Sequence, residues 1–408
     1  MRVRVAGPAL ALLAVAGAGA ASGDWPQWRG PARAGVAAGP VTARWPPGSL
    51  ARGWSVEVGE GHSGPVVSGD RVFVHARVGA DEVLSALDLA DGRRLWTHTQ
   101  AVAYTPTSAA AGHGRGPKAT PLLHQGRLYA FGATGILTCL DMANGRLVWR
   151  REFGAQAYPD FGAAQSPAAD GDRVIVHVGG SSGGALTAFD AAPGADRWRW
   201  AADGPAYASP IITTIHGVRQ VVTLSDKRVV GLSAADGALL WSAPFTTVYD
   251  QNAITPVVSG DLVIVSGIDK GVSALRIHRE GGRWAARPAW ESPAASFDMS
   301  SPVLAGARLL GFSHRQKGQV VALDAATGRL SWAGPGRQGE SASLVLAGPD
   351  VLLLNTEGEL LVLKADAGRF APVATYGVAT SPTWAHLAVA PGAVLVKDVG
   401  ALTLWRAR

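Results

Sequence analysis

The 408-residue chain contains one cysteine, three methionines and six tyrosines, and only 17% of its residues are charged. A single cysteine, Cys139, excludes an internal disulfide framework, and its place in an apolar repeat reads as a buried packing thiol. Beyond the first residues no apolar run approaches the ~20 residues that a membrane-spanning helix needs. Helix-period patterns are essentially absent from the same stretch, which points to an all-β chain. The net charge of +6 is carried by arginines scattered over turns. Without a basic run or an interleaved aromatic stripe, no nucleic-acid binding is expected. Neither paired histidines at metal-ligand spacing nor a nucleophile elbow occurs, so zinc chemistry and a hydrolase lack support.

What the chain has is repetition. Residues 86–96 read Ala-Leu-Asp-Leu-Ala-Asp-Gly-Arg-Arg-Leu-Trp, with a small residue at Ala86, Asp88 two on, Gly92 four later and Trp96 four later again. The spacing predicts a β-hairpin in which Asp88 bonds the turn amides and Gly92 supplies a positive φ. The phrase returns at Cys139, Asp141, Gly145, Trp149; at Ala188, Asp190, Gly194, Trp198; at Gly231, Ser233, Gly237, Trp241; and at Ala322, Asp324, Gly328, Trp332. A degraded copy runs through Ala274, Arg276 and Gly281-Gly282 to Trp284 or Trp290, and another has Pro372 where the Trp should stand. Those two units are expected to pack loosely or to receive a partner.

A second phrase precedes each copy: Gly64-Pro65, Thr120-Pro121, Ser166-Pro167, Ser209-Pro210, Thr255-Pro256, Ser301-Pro302 and Ser381-Pro382, with residues 341–344 filling the eighth slot. Trp positions step by 42 to 53 residues, the length of a four-stranded blade. The last unit ends after three strands, at Trp405, and an orphan strand carrying Trp54 precedes the first. The expected fold is therefore an eight-bladed β-propeller of four-stranded blades, with residues 51–408 forming the ring and the N-terminal strand completing the C-terminal blade. Such closure removes free sheet edges.

Residues 1–20 carry Arg2 and Arg4, an apolar run and Ala18-Gly19-Ala20, the pattern of a secretory signal peptide. Export to the periplasm or the exterior is expected. Residues 21–50 form an extension that begins Asp24-Trp25-Pro26-Gln27-Trp28-Arg29-Gly30, whose tryptophans either anchor an arm on the propeller wall or present a partner site.

With the repeats laid out, the chain resembles the pyrroloquinoline-quinone-like (PQQ-like) β-propeller repeat proteins. The 86–96 phrase matches the family's tryptophan-docking motif, and the segment from Asp24 resembles the start of its exported members. The resemblance implies that Trp96, Trp149, Trp198, Trp241 and Trp332 pack between neighbouring blades. It also implies relatives of at least three kinds: quinone-dependent alcohol and sugar dehydrogenases, the scaffold lipoprotein of outer-membrane β-barrel assembly, and exported members with no assigned chemistry. The dehydrogenases hold quinone over the channel with an adjacent-cysteine disulfide, a stacking Trp and calcium. This chain lacks the cysteine pair, a Cys-x-x-Cys-His haem site, the scaffold's lipid-anchoring Cys and any Trp in the segments leading into the inner strands of blades two to seven.

Those segments should crowd one face of the disc, where function concentrates. The longest, 99–119, carries His113, Arg115 and Lys118. The others add His62, Tyr158, Asp160, Gln165, Tyr207, Tyr249, Asp250, Gln251, Asn252, Asp298, Arg337 and Glu340. His113, Arg115, Lys118, Gln165, Tyr207, Gln251, Asn252 and Arg337 are candidate cofactor or ligand contacts. Asp250, Asn252 and Asp298 are candidate calcium ligands, and Asp250 or Asp298 a candidate general base. Each has a plainer reading: residues 250–252 as a self-bonded turn, the histidines as solvated loop residues, Arg115 and Lys118 as exposed charges. The expectation is a monomeric binding or scaffold module whose partner is an envelope protein or a small molecule. No cofactor is firmly implied; the alternative is a PQQ-dependent oxidoreductase with calcium.

Overall fold

The computed structural model describes residues 23–39, 41, 44–46, 49–154, 158–180 and 183–408. The expected signal peptide lies outside them. Within the described residues no helix is long and apolar enough to cross a membrane.

Eight four-stranded antiparallel sheets form an eight-bladed propeller. Blade one is Val66–Ser68, Arg71–Val78, Asp81–Asp88 and Arg94–Ala101, ordered from axis to rim. Its second strand is buried along nearly its whole length because both faces meet neighbouring blades, and so reads as an apolar run. Its outermost strand alternates between exposed and half-buried positions. The ring closes as expected. Leu50–Glu57 pairs antiparallel with Ala401–Ala407 and becomes the outer strand of blade eight.

The repeated phrase has a physical cause at each position. The small residue lies directly across from the Trp in Ala86↔Trp96, Cys139↔Trp149, Ala188↔Trp198, Gly231↔Trp241, Ala274↔Trp290 and Ala322↔Trp332. A register shift follows each of these pairs, the local kink that a bulge gives an antiparallel pair. Apart from Trp241, each docking indole donates its N–H to a carbonyl of the next blade's turn, and all but Trp332, which meets Phe370, lie over the turn glycine there. Trp54 reaches Leu89, Trp96 Met142, Trp149 Ala191, Trp198 Ala234, Trp290 Ala325 and Trp332 Ala367, at 2.8–3.2 Å. Gly145 has φ +72°, and a Cβ there would come within 2.5 Å of the Trp96 ring. Asp88 accepts the Ala90 amide at 2.8 Å, and Asp141, Asp190 and Asp324 do the same in their own turns, so these carboxylates are structural. Cys139 is fully buried, and burial pushes its thiol up to about 11.

Two units depart from the rule. In blade five Trp290 is the docking residue. Trp284 instead sits on the long Gly271–Glu280/Arg283–Ser292 hairpin, 5.1 Å from the Arg279 guanidinium. That blade has no Asp-corner to receive Trp241, whose N–H turns back to Gln220 of its own blade at 2.7 Å. Blade seven has no outer Trp. Its Tyr376 is met by Trp45 of the N-terminal extension, with ring centroids 5.9 Å apart, while Arg44 pairs with Asp350 at 2.6 Å. The seam expected to be loose is covered by the chain itself.

The first part of the extension, residues 24–37, does not lie on the outer wall; it fills the channel, and only residues 44–45 reach the outer strand of blade seven. Trp25 exchanges two backbone hydrogen bonds with Val67, and Val36 bridges to Leu346. The Ser/Thr-Pro phrase explains why it can. Inner-strand hydroxyls accept amides from the preceding blade: Thr120 from Gly64, Ser166 from Thr120, Ser209 from Ser166, Ser301 from Thr255. The carbonyls of these segments face the axis, where buried Arg29 donates to those of Ser301 and Pro302, besides Ala34 of its own arm, and buried Arg33 to those of Ser166, Pro167 and Pro210. Burial lowers both guanidinium pKa values. The converging carbonyl dipoles offset that cost without a carboxylate.

Gly145→Ala should lose about 2–4 kcal/mol, a left-handed backbone penalty plus overpacking against Trp96. Gly69→Ala, with φ +58° but open space around it, should lose only the first, about 1–2 kcal/mol. Urea unfolding measures both, and equal losses would show that the indole does not press on the turn. Arg33→Met should free the arm, read as new proteolytic cleavage between residues 24 and 46 before any cut in the blades.

Candidate functional site

The loops that lead into the inner strands gather over one end of the channel, and the other end is filled by the arm. Between them lies a pit of about 160 Å³, lined by Trp28, His62, His113, Lys118, Phe161, Tyr207, Gln251, Met299, Ser341 and Trp384 among others. Trp28 reaches it from the arm, held by a 2.8 Å hydrogen bond to the Thr255 hydroxyl and an edge contact with His386 at 5.1 Å. Trp384 stacks on His62 with centroids 5.4 Å apart and planes inclined 13°. His113 stands edge-on to Trp384 at 5.9 Å and to Phe161 at 5.6 Å. Phe161 in turn meets Tyr207 at 5.8 Å, and the Tyr207 hydroxyl accepts the Phe161 amide.

The electrostatics of the pit favour an anion. Burial, with Lys118, His113 and Lys397 nearby, pushes His62 down to about 3, and burial followed by Lys118 lowers His113. Both rings are neutral at neutral pH. The Lys118 ammonium is shielded from solvent and has no hydrogen-bond partner among the described residues; it stands 5.9 Å from the Tyr104 ring centre. Burial lowers it to about 8. Tyr207 is raised, chiefly by burial, and is a neutral phenol throughout the physiological range.

The sequence candidates divide into three groups. His113, Lys118, Tyr207 and Gln251 line the pit. Gln165 and Asn252 are buried struts. Gln165 bonds the Ala206 carbonyl, and the Asn252 amide donates to Ser225 and Phe245 carbonyls at 2.7 and 3.1 Å while its oxygen accepts the Thr247 hydroxyl. Arg115, Asp250 and Arg337 do not line the pit. Arg115 pairs with Glu60 at 3.5 Å, and the other two sit exposed on left-handed turn residues. Asp298 has one buried oxygen without a partner, and burial raises its pKa, but it faces His314 and Asp269 rather than the pit.

Sequence reasoning passed over Trp384, and read Trp28 as an anchor of the arm or a partner contact without placing it at the channel mouth. Trp384 follows Ser381-Pro382 in the loop leading into the inner strand Ala388–Ala390 of blade eight, where Leu387 rather than the Pro directly precedes the strand, and it is the one copy of the phrase with an indole two residues after its Pro. That irregularity was the available signal.

PQQ with calcium does not fit these residues. One face of Trp384 is covered by His62, and the pit is about half of the ~300 Å³ at which small-molecule pockets begin. Of the three calcium candidates, Asn252 is saturated and Asp250 is exposed. The described residues hold no cluster of three or more His, Cys, Asp or Glu side chains placed to share a metal.

Fold and repeats together define an eight-bladed propeller of PQQ-like repeats. A family model described as outer membrane protein assembly factor BamB matches residues 48–116, 80–333 and 285–377, and the chain belongs to that family. The outer membrane protein assembly factor BamB of Shewanella oneidensis is 26% identical over 250 residues, 55% of this chain and 59% of that protein's length. Among solved structures, BamB from Moraxella catarrhalis superposes with TM-score 0.64 at 16% identity, covering 88% of this chain and 98% of that one. The quinohemoprotein alcohol dehydrogenase of Comamonas testosteroni superposes with TM-score 0.67 at 14% identity, covering 95% and 81%. At these identities the two superpositions show the shared fold alone.

The buried neutral histidines set an acid response. His62 and His386 are lowered to about 3 and His177 to about 4, mainly by burial, so the unfolded chain takes up protons first as pH falls below about 6.5. Stability should therefore be full above that pH and decline progressively towards pH 4. Urea midpoints measure the slope, which His386→Leu should make shallower.

Proposed function

We propose that the protein is an exported binding module of the BamB family that engages an envelope protein through its loop face and channel mouth, in the service of outer-membrane protein assembly. One observation carries this reading: the arm fills one end of the channel, and the open end presents bare apolar side chains. Tyr249 is 78% exposed and Val248 55%, two of the most exposed large apolar side chains among the described residues, and Met299 lines the pit. Tyr249 has φ +60°, a conformation that costs a non-glycine residue about 1–2 kcal/mol. A strained loop that holds a tyrosine in solvent suits a contact anchor, since aromatic residues dominate binding energy at interfaces. The similarity to BamB of Shewanella oneidensis supports an envelope partner.

A photoreactive residue in place of Tyr249, in the full chain expressed in its own envelope, should cross-link to one defined protein. The same residue in place of Val148, on the outer strand of blade two, should not. Equal labelling from both positions, or none from Tyr249, would overturn the reading. Titration with pyrroloquinoline quinone and calcium supplies the opposing arm: saturable binding with dye reduction by alcohols or sugars would replace a scaffold with an oxidoreductase.

A further inference from the structure

The pit carries a shielded ammonium in its aromatic lining, which sets it apart from a packing defect. About 160 Å³ is the scale of one side chain, and the pit opens where the loop face presents its exposed apolar residues. Its walls are Trp384, Phe161, Tyr207 and Trp28, and its one formal charge is Lys118. The nearest carboxylates are engaged elsewhere. Glu60 pairs with Arg115, while Glu82 accepts the Ala133 amide at 2.8 Å and faces His75 at 3.4 Å. Their long-range attraction does not replace a hydrogen-bonded counter-ion. A shielded ammonium without a hydrogen-bond acceptor is costly, and an arriving carboxylate would offset that cost.

Resting on the loop-face reading above, we propose that this pit is a socket for one carboxylate side chain, Glu or Asp, presented by a partner polypeptide, with Lys118 as its counter-charge. The aromatic walls take the methylenes of the incoming side chain, and Tyr207, with its phenolic proton in place, can donate alongside Lys118. Neutral His62 and His113 add no competing positive charge and keep the walls apolar. Exclusion of water around the pair makes the carboxylate discriminate sharply against its amide, because the uncharged group leaves the ammonium unpaired.

The test selects peptides from a randomised display library on the immobilised full chain and compares it with Lys118→Met, whose melting temperature reports that it folds. The wild-type chain should enrich peptides with an acid at one fixed position, flanked by apolar residues. Synthetic copies should bind Lys118→Met at least tenfold more weakly. Replacing the fixed acid by its amide should cost as much on the wild type and almost nothing further on Lys118→Met. Peptides without a fixed acid, no enrichment at all, or equal binding by the two chains would overturn the socket, as would N-acetylglutamate binding as tightly as the peptides. Should Lys118→Met melt early, Lys118→Gln supplies the same comparison. A Tyr249 cross-link that persists while Lys118→Met holds the captured protein with unchanged affinity would remove the socket and leave the loop-face reading standing. Loss of the Tyr249 cross-link would remove both.

Discussion

The fold depends on one contact made again and again, an outer-strand indole laid over the turn of the following blade. It takes a bulge to aim the ring and, in most copies, a small residue across from the Trp and a turn glycine under the ring; across from Trp54 stands Leu404, beside the same bulge. In a closed ring the last blade must make the same contact to the first, and only a strand from the other end of the sequence is placed to carry that indole. Trp54 does so, with its N–H on the Leu89 carbonyl and its ring over Gly92. Closure and docking are one requirement met by one strand.

The axis follows a different logic. Eight inner strands meet there and six of them begin directly after a proline, so amides are scarce and carbonyls face inward. Hydroxyls of neighbouring blades take up the remaining amides, and the carbonyl lining becomes a site for cations. The chain fills it with its own Arg29 and Arg33. An electrostatic consequence of the Ser/Thr-Pro phrase thereby decides which end of the disc stays open, and Trp28, carried in by the same arm, becomes part of the pit's lining.

The repeat, the blade number and the circular closure were legible in the sequence because periodic packing leaves periodic residues. The site was legible only in part, for the opposite reason. Gln165 and Asn252 read as ligands because loop amides look alike in sequence, yet a buried loop needs such side chains to satisfy its own carbonyls and amides. Asp250 and Arg337 lie on the expected loops but on turns that point them to solvent. Trp384 escaped because it occurs once, and because its neighbour comes from the far end of the chain: His62 belongs to the loop entering blade one and Trp384 to the loop entering blade eight. Such adjacency exists only after the ring has closed. The drifted units at blades five and seven were visible as irregularities, but nothing in the sequence pattern places Trp45 beside Tyr376.

The pairing of Leu50–Glu57 with Ala401–Ala407 also fixes an order in time. Each blade from one to seven is assembled from consecutive strands and can form as soon as they are available. The eighth waits for segments some 350 residues apart, a separation that slows the search for native contacts although the entropy of closing so long a loop rises only logarithmically. Until they meet, the outer edge of blade eight is unpaired and open to strands of other chains. Ring closure is thus the late kinetic step of folding, and the interval before it is when this protein is most exposed to misassembly.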